Sequence, residues 1–223
     1  MRLIERPSPN HDARLGAVDM LVLHYTGMQS AEAALARLCD PQAKVSAHYT
    51  IDEAGILYRH VAEERRAWHA GVSFWAGEAN VNGRSIGIEL VNPGHEFGYV
   101  PFPEPQIAAL IELAHGILAR HAIPARHVLG HSDVAPSRKT DPGELLPWQH
   151  LAANGIGLWP VPVKRADGDV ADGLARFGYG VPPQVDVTIA AVVAAFQRHF
   201  RPSCINGVAD RECTDILAGL LSS

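Results

Sequence analysis

Through the first 160 or so residues, short apolar runs alternate with polar turns; helical spacing then takes over. Val18 to Leu23 is continuously apolar and ends in His24-Tyr25-Thr26-Gly27, which predicts a buried strand delivering polar side chains at its carboxyl end. Ser30 to Leu38 reads as a helix with Ser30 as its N-cap, and Asp40-Pro41 stops it. Ala47–Ile51 and Ile56–His60 predict a hairpin across Asp52-Glu53-Ala54-Gly55. Ser85–Asn92 is a central-strand candidate: Ile86, Ile88 and Leu90 share one face, and Ser85, Gly87, Glu89 and Val91 the other. Glu104–His121 is the clearest helix, with Pro105 in its first turn and a stripe of Ile107, Leu110, Ile111, Ala114, Ile117 and Leu118. Val128-Leu129 predicts a brief strand, and a helix runs from Leu145 to about Asn154. Residues 1–17 read as an irregular loop.

After Trp159-Pro160 the texture changes. Residues 161–170 read as a linker and 171–223 as a small bundle of three helices. Leu174 and Phe177 mark the first helix, Ile189, Val193, Phe196 and Phe200 the second, and Cys213, Ile216, Leu217 and Leu220 the third, capped by Asp210. About fifty residues is marginal for an independent fold, so the bundle is expected to pack on the larger domain, 1–160.

With 47% hydrophobic and 19% charged residues the chain has an ordinary globular composition. A formal charge of -5 leaves no basic footprint, so nucleic acid is not an expected partner. No apolar run approaches the roughly 18 residues of a membrane span. The start has neither the apolar core of a secretory signal nor a lipobox cysteine, so the expected location is cytoplasmic, with the periplasm or cell envelope as the alternative. A monomer is the favoured state. Cys39, Cys204 and Cys213 make a poor disulfide framework, although Cys204 and Cys213 could pair.

The densest chemistry lies in 130–143, where His131, Asp133, Arg138, Lys139 and Asp141 fall between glycines and prolines without helical or strand periodicity. On residue types alone this is a metal-binding loop or a solvated one. His24, His131 and Asp141 can supply three zinc ligands and leave a fourth position open. Glu89, a carboxylate among apolar strand residues, could take a proton from attacking water, and Lys139 could stabilise an oxyanion. The spacing forms no compact metal signature, and other histidine triples can be drawn among the twelve. Phe74 and Trp75, beside Trp68-His69-Ala70-Gly71, either line a groove for a sugar or peptide or form a minor hydrophobic cluster.

Five separated motifs narrow these choices: Leu23-His24-Tyr25-Thr26, Ser46-Ala47-His48-Tyr49, Ala67-Trp68-His69-Ala70-Gly71, Ser85-Ile86-Gly87-Ile88-Glu89-Leu90, and Gly130-His131-Ser132-Asp133 through Lys139-Thr140-Asp141-Pro142-Gly143. In kind and order they resemble the zinc-dependent N-acetylmuramoyl-L-alanine amidases of the AmpD/AmiD type, over about residues 17–155. The resemblance implies an α/β (α+β) fold with a mixed central sheet flanked by helices, one zinc ion per chain, and hydrolysis of the amide between muramic acid's lactyl group and L-alanine in peptidoglycan or muropeptides. By the same likeness His24, His131 and Asp141 are zinc ligands, Glu89 is the general base and Lys139 stabilises the transition state. His48, Trp68 and His69 are placed around the substrate groove. The tail, through Phe177-Gly178-Tyr179 and Ala195–Pro202, is similar to the helical peptidoglycan-binding domain of AmiD-like members. Two rival readings remain: a non-catalytic peptidoglycan-recognition module, expected to have lost a ligand, and a zinc hydrolase of another peptide amide.

Overall fold

The computed structural model describes residues 2–164 and 169–222; residues 165–168, inside the expected linker, lie outside the described residues. Two short strands open the chain, β1 (Leu3–Glu5) and β2 (His11–Ala13), before β3 (Met20–Tyr25) and α1 (Ala31–Cys39). Next come β4 (Tyr49–Ile51), β5 (Leu57–Arg59), β6 (Arg65–Ala67), α2 (Val81–Arg84) and β7 (Ser85–Leu90). Then follow α3 (Gly94–Phe97), α4 (Glu104–Arg120), β8 (Val128–Gly130), α5 (His131–Val134) and α6 (Trp148–Ala153). The tail carries α7 (Val170–Phe177), α8 (Ile189–Phe200) and α9 (Arg211–Leu220).

Six strands form a mixed sheet in the order β1-β5-β4-β7-β3-β8, and β2 pairs with β6 in a separate ribbon. The expected irregularity of residues 1–17 is therefore corrected. Three-residue strands are too short to show a period, and their partners lie more than fifty residues away, Leu3 opposite Leu57 and His11 opposite Ala67. The hairpin forms as read: β4 and β5 are antiparallel, and the Asp52 carboxylate accepts the amides of Ala54 and Ile56. Gly55 turns that corner at φ +79, where a Cβ would also meet the Pro105 carbonyl.

The two faces of the sheet are covered by different parts of the chain. Leu21, Leu23, Ile86, Ile88 and Leu90 point into one core, roofed by Ile107, Leu110, Ala114 and Ile117 of α4. Met20, Val22 and Leu129 point the other way, into a second core built largely from the tail, including Leu174, Phe177, Phe196 and Phe200. Trp75 belongs to this second core and is fully buried, edge-on to Phe177 and Tyr179. Of the two readings open for Trp75, the hydrophobic cluster holds and the exposed groove wall does not. All three cysteines are free, Cys213 buried and Cys204 exposed.

Glu63 ties α4 to the hairpin edge, accepting from Tyr49 Oη, Arg120 Nη2 and His121 Nε2, each at 2.7 Å. Burial alone raises the Glu63 pKa, but these donors overcome it and hold the group at about 2. The folded value lies below the unfolded one, so this stabilisation is full above about pH 4.5 and fades as pH falls towards 2. Glu63→Gln is expected to melt below the wild type at neutral pH, with a gap that closes as pH falls from about 4.5 towards 2. A gap independent of pH, followed by circular dichroism, contradicts this account of the carboxylate.

Candidate metal centre and active-site cleft

Parallel strands β3, β7 and β8 end side by side, and their carboxyl ends carry the site. In register, His24 of β3 lies opposite Glu89 of β7, on the face that also presents Val22 and Gly87. β8 stops at Gly130, and His131 opens the single turn of α5, so the expected irregular loop begins instead as a helix. The loop then returns: the Ser132 amide donates to the Asp141 carbonyl at 2.8 Å, clamping its two ends together.

This closure brings three ligand atoms to one point. His24 Nδ1 and His131 Nδ1 are 2.9 Å apart, and Asp141 Oδ2 is 3.1 Å from the first and 3.0 Å from the second. All three residues are buried. His131 Nε2–H donates to the Ala70 carbonyl at 3.0 Å, so in the neutral ring Nδ1 presents a lone pair to the Asp141 carboxylate. Lone pairs converging so closely call for a cation between them. Tetrahedral coordination at about 2.0 Å gives ligand separations of about 3.3 Å, close to the observed triangle. Two imidazoles and a carboxylate are a donor set that suits a borderline divalent ion. The residues therefore fit a metal ion.

Burial, then the nearby His131, lowers the His24 pKa to about 4, which keeps that imidazole neutral at pH 7. Burial pushes Asp141 up, yet His131 and His24 more than reverse it, so its carboxylate stays ionised. Glu89 goes the other way: burial, reinforced by Asp141, raises its pKa well above the usual carboxylate range, while Lys139 opposes the shift. Its Oε2 is enclosed and has no hydrogen-bond partner among the described residues. An unpartnered carboxylate beside the ligand triangle is costly to the fold and free to act on something that enters.

A cleft of about 460 Å³ opens over these groups, walled by His24, Glu89, His131, Lys139 and Asp141 together with Trp68 and His69. Trp68 is half-buried at the rim, and its indole N–H donates to Asp12 Oδ2 at 3.3 Å. His69 is buried in the wall behind His24. His48 is not in the wall, and its placement around the groove is corrected. It is fully buried, its Nδ1 accepts the Gly87 amide at 2.9 Å and its Nε2 lies 3.2 Å from the Arg65 carbonyl. It staples β7 to the β6 edge. Arg138 donates to the carbonyls of Ala70 and Val72, and Asp133, wholly buried, accepts the Gly130 amide, so both support the loop.

The opposite wall was not read from the sequence. Tyr25 Oη lies 3.0 Å from both His95 Nδ1 and Thr140 Oγ1, while His95 Nε2 faces Glu144 at 3.2 Å and its ring stacks on Tyr99. These groups come from three separate segments; Tyr25, adjacent to His24, and Thr140, between Lys139 and Asp141, carry a positional hint, and His95 and Tyr99 carry none.

With this geometry in place, comparison with known proteins becomes specific. Residues 14–144 match the N-acetylmuramoyl-L-alanine amidase family, more than half of the chain. The chain belongs to that family. It is 40% identical to the N-acetylmuramoyl-L-alanine amidase AmiD of Escherichia coli, across 92% of this chain and 82% of that one. The 1,6-anhydro-N-acetylmuramyl-L-alanine amidase AmpD of the same organism is 32% identical but spans only 64% of this chain, with 86% of its own length covered. A solved complex of the E. coli AmiD with its substrate anhydro-N-acetylmuramic acid-L-Ala-D-gamma-Glu-L-Lys superposes with a TM-score of 0.83 at 39% identity, covering 95% of this chain and 92% of that one.

Proposed function

We propose that the protein is a zinc-dependent amidase that cleaves the bond between the lactyl group of N-acetylmuramic acid and L-alanine in muropeptides or peptidoglycan. The observation that carries this reading is the convergence of His24 Nδ1, His131 Nδ1 and Asp141 Oδ2 within 3.1 Å, beside the unpartnered Glu89. Membership of the amidase family and the muropeptide bound to its E. coli relative support the substrate class.

His24, His131 and Asp141 would hold the ion, one per chain. Zinc supplies Lewis acidity there, polarising a carbonyl and letting water give up a proton near neutral pH. Glu89 would take that proton on its free carboxylate oxygen and return it to the departing amide nitrogen of L-alanine. The Lys139 ammonium, in the same wall, would stabilise the oxyanion that forms from the lactyl carbonyl. Enclosure of Glu89 keeps bulk water from solvating it and so preserves its basicity towards a bound reactant.

We further assign residues 1–160 to the catalytic unit, 161–170 to a connection and 171–223 to a peptidoglycan-binding-like bundle. The described helices of that bundle, α7 to α9, share a core with the sheet and so act as one body with it.

Incubating the purified protein with anhydro-N-acetylmuramyl-tripeptide, with and without a chelator, tests the reading by mass spectrometry. Release of free stem peptide only in the metal-loaded sample is expected. Binding without cleavage would point to a recognition module, and cleavage within the peptide to a different hydrolase; either outcome defeats the assignment.

A further inference from the structure

Zinc needs His24 in one tautomer only, with the proton on Nε2 and the lone pair on Nδ1. A buried chain of donors and acceptors leads away from Nε2 and ends on a group whose role is fixed. The Ser85 hydroxyl donates to the Val81 carbonyl at 2.6 Å, because a carbonyl can only accept. Ser85 Oγ therefore turns a lone pair towards His69 Nε2, 3.1 Å away, which must carry the hydrogen. Among the described residues the His69 ring has His24 and Ser85 as partners and no carboxylate, and in its neutral ring Nδ1 is then an acceptor. That atom lies 3.0 Å from His24 Nε2, which donates to it and leaves Nδ1 bare at the ligand triangle.

We propose that His69 is a positioning residue of the metal centre, which fixes the tautomer and ring plane of His24 through a relay anchored at Ser85 and the Val81 carbonyl. The inference rests on the zinc reading of the centre given above. Two features of the fold serve the relay. Gly87, opposite Val22 in the middle of the sheet, lies under the His69 ring, and a Cβ there would overlap it. The His69 and Ala70 amides both donate to Asn82 Oδ1, at 3.1 and 2.8 Å, which sets the segment's position. The same segment serves the second histidine, since the Ala70 carbonyl accepts from His131 Nε2. Two adjacent residues, one by its side chain and one by its backbone, thus orient both imidazole ligands. Such outer partners raise ligand basicity and remove the cost of orienting the ring on binding.

The test is zinc affinity of the full-length protein, measured by competition with a chromophoric chelator. The variants are His69→Phe, His69→Asn, Ser85→Ala and the His69→Phe/Ser85→Ala pair. Phenylalanine keeps a flat ring over Gly87 but accepts no hydrogen bond, and is expected to weaken zinc about 10- to 100-fold. Asparagine places a carboxamide oxygen near the position of Nδ1 and is expected to recover most of that loss. Ser85→Ala, remote from the metal, is expected to weaken zinc by a smaller factor, and to cost nothing further once His69 is phenylalanine. Equal affinity in all variants, or equal losses for phenylalanine and asparagine, overturns the relay. If His69→Phe does not fold, Ser85→Ala decides alone, and unchanged affinity overturns the proposal. Wild-type protein that binds no zinc defeats the metal reading and the relay with it; tight wild-type binding with indifferent variants defeats the relay only.

Discussion

Glu89→Gln is expected to lower kcat by about 10²- to 10⁴-fold while the protein stays folded and keeps its metal. The substitution preserves shape and removes the carboxylate proposed to accept the proton of attacking water. Glu89 lies opposite His24 across two parallel strands, yet contributes no atom to the ligand triangle. Its enclosed Oε2 has no partner among the described residues, so the amide breaks no hydrogen bond of that atom and relieves the cost of burying a charge. The variant should melt at or above the wild-type temperature, a signature that a structural carboxylate would not give. Metal content and kcat measured on one preparation separate the possibilities. His131→Ala should lose the metal and the activity together. Metal loss by Glu89→Gln to the same degree would make Glu89 a ligand, and an unchanged kcat would remove it from the chemistry.

Phe196→Ala is expected to destabilise the whole protein by about 3–5 kcal/mol, and to lower its melting temperature by on the order of 10 °C in a single transition. Phe196 is 2% exposed and sits among Tyr179 and Phe200 in the core that also holds Met20, Val22 and Leu129 of the sheet. Polar contacts join the same two regions. Tyr179 Oη donates to Asp133 at 2.6 Å, and His199 Nδ1 lies 2.7 Å from the other oxygen of that carboxylate, two residues beyond His131. Fluorescence and residual activity, followed on one heating ramp, should fall together in both wild type and variant. A bundle that melts first while activity survives would show that the tail does not share the core of the sheet.

Legibility in the sequence followed the length of each signal. Six-residue β3 and β7 are long enough for burial and alternation to be read, which placed His24 at a strand end and Glu89 on the face opposite Ile86, Ile88 and Leu90. The 17-residue α4 and the capped helices α1, α8 and α9 were equally plain, and Ser30 and Asp210 cap as read. Three-residue β1 and β2 could not be read, since pairing over more than fifty residues leaves no local trace. Trp75 was ambiguous because its partners Phe177 and Tyr179 lie about a hundred residues downstream. Gly87 leaves the room that the His69 ring fills, a contact across eighteen residues that strand alternation does not announce. His48 sits in a motif that resembles the family's, yet its ring serves the sheet, which only its hydrogen bonds disclose. The tyrosine–histidine wall of the cleft needed three segments to meet and was invisible to spacing.

In the proposed reaction one zinc ion, held by His24, His131 and Asp141, drives amide hydrolysis in this cleft. The most direct measurement is turnover of anhydro-N-acetylmuramyl-tripeptide by chelated, metal-free protein during stepwise return of zinc. Activity should start at background, rise linearly and level off at one zinc per chain, and Asp141→Ala should show no such rise. Full turnover before any zinc is added, or a rise that Asp141→Ala reproduces, would contradict it.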